Sequence, residues 1–138
     1  MASGAIPYRV ATDGRVEILL VTTSRSQRWS IPKGKEEPDL SLADNAAKEA
    51  FEEAGVVGEV TEESLGTFRV IKRRKSGNVT FKVWIYLLKV TEVHTVWPEM
   101  HLRRTKWVSC EVAASLVREP LLKKLCLELE SMVFAESS

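Results

Sequence analysis

Three glutamates lie close together near the end of a helix-forming stretch. Glu49, Glu52 and Glu53 are spaced as i, i+3 and i+4, so their side chains are neighbours on one face of an α-helix. Like charges at this spacing repel, and the helix dipole opposes anions near a C-terminus by a further ~0.3–1 kcal/mol each. A hard divalent cation, Mg²⁺ or Mn²⁺, would reverse these electrostatics because it prefers oxygen ligands. The spacing therefore indicates a carboxylate metal site, and the alternative is a solvated acidic helix face.

The element that must carry these glutamates is a helix predicted over residues 41–54. Ser41 with Asp44 three residues later is a weak N-terminal capping signature, and Gly55 is where a left-handed residue ends a helix. Apolar residues gather on the side opposite the glutamates. They are Ala43, Ala46, Ala47, Ala50, Phe51 and Ala54. The helix is thus expected to bury an alanine-rich face and to present an acidic one.

The acidic helix belongs to a longer pattern that resembles the Nudix box, G-x5-E-x7-R-E-U-x-E-E-x-G-U, where U is aliphatic. The matching positions are Gly34, Glu49, Glu52, Glu53, Gly55 and Val56, and Ala50 is a small apolar residue at the first U. The likeness is specific over the box and extends weakly over residues 5–118. It implies an α/β fold, the Nudix-type α/β/α sandwich with a mixed β-sheet between helices. It also implies a metal-dependent hydrolase of substrates that contain a diphosphate, with Glu49, Glu52 and Glu53 as metal ligands.

Two positions depart from this family pattern. Leu40 replaces the first glutamate of the box, and Lys48 replaces the arginine. In the family these two side chains mainly brace the loop–helix–loop. Leu40 cannot accept an ion pair, and Lys48 lacks the rigid fork of arginine. Asp39 and Asp44 are alternative partners for Lys48, and the sequence does not choose between them.

A second group of candidate residues is cationic and introduces the box. The segment 29–35, Trp-Ser-Ile-Pro-Lys-Gly-Lys, is similar to the W-x-x-P-K-G found in Nudix enzymes that act on diadenosine or diphosphoinositol polyphosphates. Arg28, Lys33 and Lys35 would then bind phosphoryl oxygens through charge-assisted hydrogen bonds. The alternative is that they are solvated loop residues.

A dense basic run, residues 72–75, lies at a predicted hairpin end. We assign Arg73 and Arg74 to substrate binding, where they would hold a polyphosphate over the site. Such runs are more often solvated surface. A nucleic-acid patch is a weaker interpretation because interleaved aromatic residues and a binding motif are lacking.

Glu99 follows a predicted central strand in a loop. The Nudix resemblance implies a further glutamate in this loop, as metal ligand or general base, so Glu99 joins Glu52 and Glu53 as a candidate catalytic residue. His94 and His101 flank it. Isolated histidines are more often surface residues than catalysts, although His101 could contact phosphate.

The composition is that of an ordinary globular chain. Its 138 residues are 44% hydrophobic and 28% charged, with a net charge of +1, and we expect one domain over residues 1–138. The near-neutral charge disfavours a nucleic-acid polymer as partner. No apolar run approaches ~20 residues and no signal peptide is visible, so we expect no membrane partner and a cytoplasmic location. Cys110 and Cys126 lack C-x-x-C spacing and are expected to be buried thiols.

Short apolar runs predict the strands of the sheet. They cover residues 5–10, 16–22, 65–72, 80–90 and 105–108, with further helices over 111–117 and after Pro120. Asp13-Gly14 predicts a hairpin between the first two strands. The run 80–90 becomes apolar on both faces toward its end, which predicts a central strand covered on both sides.

The sequence as a whole predicts a metal-dependent hydrolase of a nucleoside- or inositol-linked polyphosphate. Diadenosine and diphosphoinositol polyphosphates are favoured, and ADP-ribose and nucleoside triphosphates remain open. Glu52, Glu53 or Glu99 would accept the proton of the attacking water. Two other classes stay open, a Nudix-fold module that binds a nucleotide or polyphosphate without hydrolysis and a small interaction domain with an acidic helix. The partner expected is a small phosphorylated molecule, and the oligomeric state is not indicated.

Overall fold

A computed structural model describes residues 1–137, with side chains described through residue 135. Eight strands and three helices occur in this part of the chain. The strands are β1 (Ala2–Val10), β2 (Val16–Thr22), β3 (Trp29–Ser30), β4 (Lys33–Lys35), β5 (Val56–Val60), β6 (Gly66–Arg74), β7 (Gly77–Val93) and β8 (Thr105–Ser109). The helices are α1 (Leu42–Ala54), α2 (Cys110–Leu116) and α3 (Pro120–Ser137).

The strands form one mixed sheet whose main path is β3-β2-β1-β7-β5. Strand β1 runs parallel to β7, and its other pairings, with β2 and β4, are antiparallel. Outside this path, β8 pairs with β2 and β6 pairs with β7. The predicted hairpin between β1 and β2 is present, with Gly14 at φ 84° and the Arg15 amide donating to Asp13 Oδ1 at 2.9 Å. The mixed sheet predicted from the sequence is confirmed.

Each face of the sheet carries its own apolar core. On one face Ile18, Leu20 and Ile85 pack with residues of α2 and α3, among them Leu122 and Leu129. On the other face the alanines of α1 pack against residues of β1, β2 and β7. That second set contains Ala5, Leu19, Ala46, Ala50, Tyr86 and Leu88. Because β7 contributes buried side chains to both cores, the predicted central strand covered on both sides is confirmed.

Three strands, β3, β4 and β5, were not predicted from the sequence. Strand β5 begins directly after the residue that ends α1, so no loop separates the two elements, and a register shift occurs between Val57 and Gly58. A Cβ on Gly58 would fall 2.0 Å from the Lys89 carbonyl oxygen, so the bulge needs glycine. Strand β4 is three residues long and pairs with β1. All three strands are short, and they lack a periodic signal of their own.

The two cysteines lie in the core, as expected. Burial raises the pKa of Cys110 to about 11 and that of Cys126 to about 12. Neither thiol therefore ionises readily at neutral pH. Separately, no helix among residues 1–137 is both long and apolar enough to cross a bilayer.

Candidate active site

Helix α1 is held at both ends by the residues that the sequence indicated. Ser41 Oγ accepts a hydrogen bond from the Asp44 amide at 3.1 Å. Gly55 adopts φ 71°, and its amide donates to the Phe51 carbonyl at 2.9 Å. The chain reverses out of the helix at Gly55, because glycine takes this left-handed conformation at little cost. These caps fix where the helix begins and ends, and therefore the direction in which the glutamate side chains project.

Glu53 and Glu49 form a carboxylate pair beneath the surface. Glu53 is 3% exposed, and Glu49 is the neighbouring carboxylate whose negative charge also acts on it. Burial raises the pKa of Glu53 to about 8, the positive charge of Arg103 opposing the shift, and burial also raises the pKa of Glu49. Both shifts favour the protonated, uncharged form of each carboxyl group. The alternative of a solvated acidic face is wrong for Glu53.

Gly34 makes room for this pair. A Cβ at position 34 would fall 2.5 Å from Glu49 Oε1, so the carboxyl of Glu49 occupies the space that any other side chain would need. Asn45, one turn earlier on α1, donates from Nδ2 to the Gly34 carbonyl at 3.3 Å and to Ser3 Oγ at 2.9 Å. Strand β4 and α1 are thereby joined next to the carboxylates.

Glu52 is more exposed than Glu53, with 30% of its side chain accessible against 4%. Lys48 Nζ forms ion pairs with Glu52 and, at 2.8 Å, with Glu37 Oε1. The partner of Lys48 is thus neither Asp39 nor Asp44, the two considered from the sequence. Glu37 lies before the helix and forms an ion pair with Lys48 on it. This ion pair joins the loop to the helix, which Leu40 cannot do. Within residues 1–137 no three His, Cys, Asp or Glu side chains are arranged as a metal-holding group.

The loop over residues 94–104 docks on the C-terminal end of α1. The amides of His94 and Glu99 donate to the carbonyls of Gly55 and Glu52 at 2.8 and 2.9 Å, and Trp97 Nε1 donates to the Glu53 carbonyl at 3.2 Å. These carbonyls belong to the helix end, where intrahelical partners are missing. The loop satisfies them and in doing so carries the predicted residue Glu99 to the Nudix-like box.

Arg103 is a site residue that was not predicted from the sequence. Its Nε donates to Glu99 Oε1 at 2.9 Å, its Nη1 donates to the Thr22 carbonyl at 3.0 Å, and Nη1 lies 3.7 Å from Glu53 Oε1. The i, i+4 spacing from Glu99 was a usable signal, although such pairs are common on any surface. Its contact with Glu53 joins residues fifty positions apart, which only the fold brings together.

A cleft of about 570 Å³ opens beside Glu53. All five residues predicted to bind substrate line it, together with three further cations. The full cationic lining is Arg25, Arg28, Lys33, Lys35, Lys72, Arg73, Arg74 and Arg103. Lys33 Nζ donates to Ser30 Oγ at 3.1 Å, and burial lowers the pKa of this lysine. Arg28 Nη1 pairs with Glu119 Oε1 at 3.3 Å.

The basic hairpin presents its cations on two faces. Lys72 Nζ and Arg74 Cζ lie 5.6 and 5.9 Å from the centre of the Phe81 ring, so both share the face of that ring. Arg73 lies between them in β6, opposite Asn78, and alternate residues of a strand point to opposite faces. Arg73 and Arg74, which were predicted to bind substrate together, therefore both line the cleft but project from opposite faces of β6.

The two histidines do not join the carboxylates. His94 packs edge-on against Phe51, with ring centres 5.3 Å apart, and its Nε2 lies 3.2 Å from Glu92 Oε2. His101 is exposed in the docked loop. Both positions agree with the surface role that isolated histidines usually have.

Comparison with known proteins identifies the family. The NUDIX domain family matches residues 4–126. The chain belongs to the NUDIX family. Nudix hydrolase 18, mitochondrial, from Arabidopsis thaliana is 33% identical over 127 residues, 88% of this chain and 70% of that protein. Diphosphoinositol polyphosphate phosphohydrolase 3-beta from Bos taurus is 34% identical over 105 residues, 74% of this chain and 60% of that protein.

Solved structures show the same Nudix fold. A C. elegans Ap4A hydrolase binary complex superimposes with a TM-score of 0.69 at 22% identity, covering 97% of both chains. The NUDIX domain of Shewanella oneidensis NrtR, complexed with ADP ribose, gives 0.62 at 17% identity, covering 96% of this chain and 86% of that one. At these identities the likeness concerns the fold. The Nudix-type fold and the enzyme class predicted from the sequence, a Nudix hydrolase, are confirmed.

The donor set of this Nudix site fits a divalent metal, which Nudix hydrolases generally use. Glu49 and Glu53 place carboxyl oxygens side by side against the backbone at Gly34, and oxygen is the donor that Mg²⁺ and Mn²⁺ prefer. Burial makes two adjacent carboxylates unfavourable without a cation, which is why their pKa values are raised. A divalent ion would remove that cost.

Proposed function

We propose that this Nudix hydrolase cleaves a phosphoanhydride bond in a nucleoside- or inositol-linked polyphosphate. Diadenosine and diphosphoinositol polyphosphates are the favoured substrates, and ADP-ribose and nucleoside triphosphates are the other candidates. The observation that carries the proposal is the cleft in which the buried Glu53 is surrounded by cations of four chain segments. The name of the bovine relative, a diphosphoinositol polyphosphate phosphohydrolase, supports the same substrate class.

The number of cations favours a substrate with many phosphates. A diphosphate needs little beyond a metal ion, whereas four or more phosphates leave several negative charges to be balanced. Arg28, Lys33 and Lys35 lie on the wall next to the carboxylates, and Arg73 and Arg74 lie on the hairpin. Each phosphoryl oxygen can accept a charge-assisted hydrogen bond from such side chains. The inner cations would thus hold the reacting phosphates and the hairpin the outlying ones.

Glu49, Glu52 and Glu53 are the proposed ligands of Mg²⁺ or Mn²⁺. Such an ion, when bound, supplies positive charge beside the phosphates and makes water more acidic. Glu49 and Glu53 already lie together, whereas Glu52 is paired with Lys48, so its participation requires exchange of that ion pair. The departures from the family pattern at Leu40 and Lys48 leave all three of these carboxylates in place.

The chain's own residues supply the remaining chemistry. A carboxylate among Glu52, Glu53 and Glu99 accepts the proton of the water that attacks phosphorus. Arg28, Lys33 and Lys35 stabilise the negative charge that develops on the phosphoryl and bridging oxygens. Because Lys33 and Lys35 lie on β4 and Arg28 lies in the loop before β3, little reorganisation is needed during the reaction.

A non-hydrolytic polyphosphate-binding module is the second candidate function. The pairing of Glu52 with Lys48 and the substitution at Leu40 favour it, since both concern the box itself. In either case the proposed partner is a small phosphorylated molecule and neither a nucleic-acid polymer nor a membrane. The cytoplasmic location and the single domain over residues 1–138 also remain proposals. Several Arabidopsis relatives carry the words mitochondrial or chloroplastic in their names.

The first experiment is hydrolysis of a panel of diphosphate compounds with Mg²⁺, with the products identified by mass. Glu53→Gln should lower kcat by at least ~100-fold, the effect of losing a principal electrostatic contribution. Glu63→Gln, an exposed residue outside the cleft, is the matched control and should leave kcat unchanged. If Glu53→Gln forms products as fast as the wild type, Glu53 is not part of the active site. Binding without any product would favour the non-hydrolytic module.

A further inference from the structure

Arg103 lies between the carboxylates of Glu53 and Glu99. Its guanidinium contacts Glu99 at 2.9 Å and approaches Glu53 to 3.7 Å, and its side chain is 15% exposed. A third contact, from Nη1 to the carbonyl of Thr22 at 3.0 Å, fixes the group to β2. Thr22 is itself fully buried, and its hydroxyl accepts from the amide of Arg104 at 3.0 Å. The guanidinium is therefore held by the scaffold and does not move freely.

The charges around Arg103 explain what it does in the metal-free protein. Glu53 and Glu49 lie on adjacent turns of α1, and the docked loop brings Glu99 to the same place. Three acidic groups near one another need a counter-charge when no metal is present. Arg103 is the cation that contacts two of them from the described part of the chain, and its planar fork can serve both.

We propose that Arg103 is a positioning residue that serves as the built-in counter-cation of this carboxylate group and competes with the divalent ion. The inference rests on the proposed metal site. It follows from two opposing effects of a fixed positive charge. The guanidinium orders Glu53 and Glu99, which favours metal binding, but it repels an ion placed against the same oxygens. Under this proposal, the repulsion between the two cations inside a half-buried site outweighs the gain from ordering two side chains.

Competition of this kind would make metal retention depend on the substrate. Arg103 also lines the cleft, so a polyphosphate entering there adds negative charge next to both cations. The repulsion between Arg103 and the divalent ion is then screened by the phosphates. The ion is consequently held weakly by the free enzyme and firmly once an anionic substrate is present.

The test measures Mn²⁺ binding directly, through the free-ion signal in electron paramagnetic resonance, with no substrate present. Arg103→Met keeps the aliphatic stem and removes the charge. It should bind Mn²⁺ at least tenfold more tightly than the wild type, and its metal-free form should unfold at a lower temperature. Arg103→Lys keeps a charge and should bind Mn²⁺ with an affinity closer to the wild type than to Arg103→Met. Arg104→Met is the matched control, because Arg104 lies over the Trp29 ring and outside the carboxylate group.

Each outcome of this experiment decides the proposal. Unchanged or weaker Mn²⁺ binding by Arg103→Met would overturn it, as would an Arg103→Lys variant that binds as tightly as Arg103→Met. If Arg103→Met does not fold, Arg103→Lys carries the test, and an affinity more than tenfold from that of the wild type in either direction would overturn the proposal. A wild-type protein that binds no Mn²⁺ at all would instead remove the proposed metal site, and with it this role of Arg103.

Discussion

At the scale of single residues, the site contains buried carboxyl groups that depend on their particular neighbours. Glu53 is almost fully buried beside Glu49, and burial raises the pKa of both carboxyl groups above the usual range of solvated carboxylates. Gly34 has the smallest side chain, and the absent Cβ is the space in which the Glu49 carboxyl lies. The chemistry of the pair thus depends on a residue that has no functional group.

Gly34→Ala tests this dependence. The added Cβ would lie 2.5 Å from Glu49 Oε1, so the carboxyl must move, and a misplacement of about 1 Å can cost about 10²-fold in rate. We expect kcat to fall by roughly that factor in steady-state assays. In a Glu49→Gln background the same glycine substitution should add little, because residues in contact do not act additively. Equal factors in both backgrounds would show that Gly34 acts independently of Glu49.

At the scale of elements, helix α1 and the loop over residues 94–104 form one unit. The loop donates three hydrogen bonds to the carbonyls that end the helix, and the Trp97 ring covers Gly55, where a Cβ would fall 2.6 Å from the ring. Gly55 therefore has two functions, since it ends the helix and admits the indole. Glu99 reaches the box because this docking brings it there.

Trp97→Phe should weaken the docking without removing the ring. The variant loses the hydrogen bond from Nε1 to the Glu53 carbonyl, and a hydrogen bond of this kind contributes about 0.5–1.5 kcal/mol to stability. Urea unfolding should give a free energy of unfolding lower by that amount. Trp107→Phe provides a control for the change in ring size, since the Trp107 ring lies under Arg9 on another part of the sheet. A free energy unchanged by Trp97→Phe would mean that the loop is held without this bond.

At the scale of the whole molecule, a nearly neutral protein concentrates its positive charge in one cleft. The net charge is +1, yet the cleft beside Glu53 is lined by cations from the loop before β3, from β4, from the β6–β7 hairpin and from the docked loop. The field is local, so it acts on a small polyanion that enters the cleft and much less on a polymer that would cover the surface. Lys72 and Arg74 are the hairpin cations that share the face of Phe81.

Replacing Lys72 and Arg74 together by alanine should lower kcat/KM for diadenosine or inositol polyphosphates more than for ADP-ribose. The difference between these substrates should narrow with salt, because the screening length falls from about 30 Å at 0.01 M to about 8 Å at 0.15 M. The control replaces Lys89 and Lys106, two exposed lysines outside the cleft, and removes the same charge. Measurements of kcat/KM at both ionic strengths decide the matter. If the protein prefers ADP-ribose and the double variant keeps that preference, the hairpin is ordinary solvated surface and does not bind substrate.

The sequence alone determined the features that depend on neighbours along the chain. Helix α1, its caps at Ser41 and Gly55, the hairpin at Asp13-Gly14 and the two apolar faces of β7 all follow from local propensity and periodicity, and each was predicted. The spacing of the box residues was enough to indicate the family because a pattern of many fixed positions rarely arises by chance.

Only the tertiary structure decided which charges meet. Lys48 pairs with Glu37 eleven positions away, and Arg103 reaches Glu53 fifty positions away. The energy of an ion pair depends on distance and burial in the folded molecule, and neither quantity is written in the order of residues. Short strand β5 was missed for the same reason, since its pairing with β7 stabilises it rather than any pattern of its own.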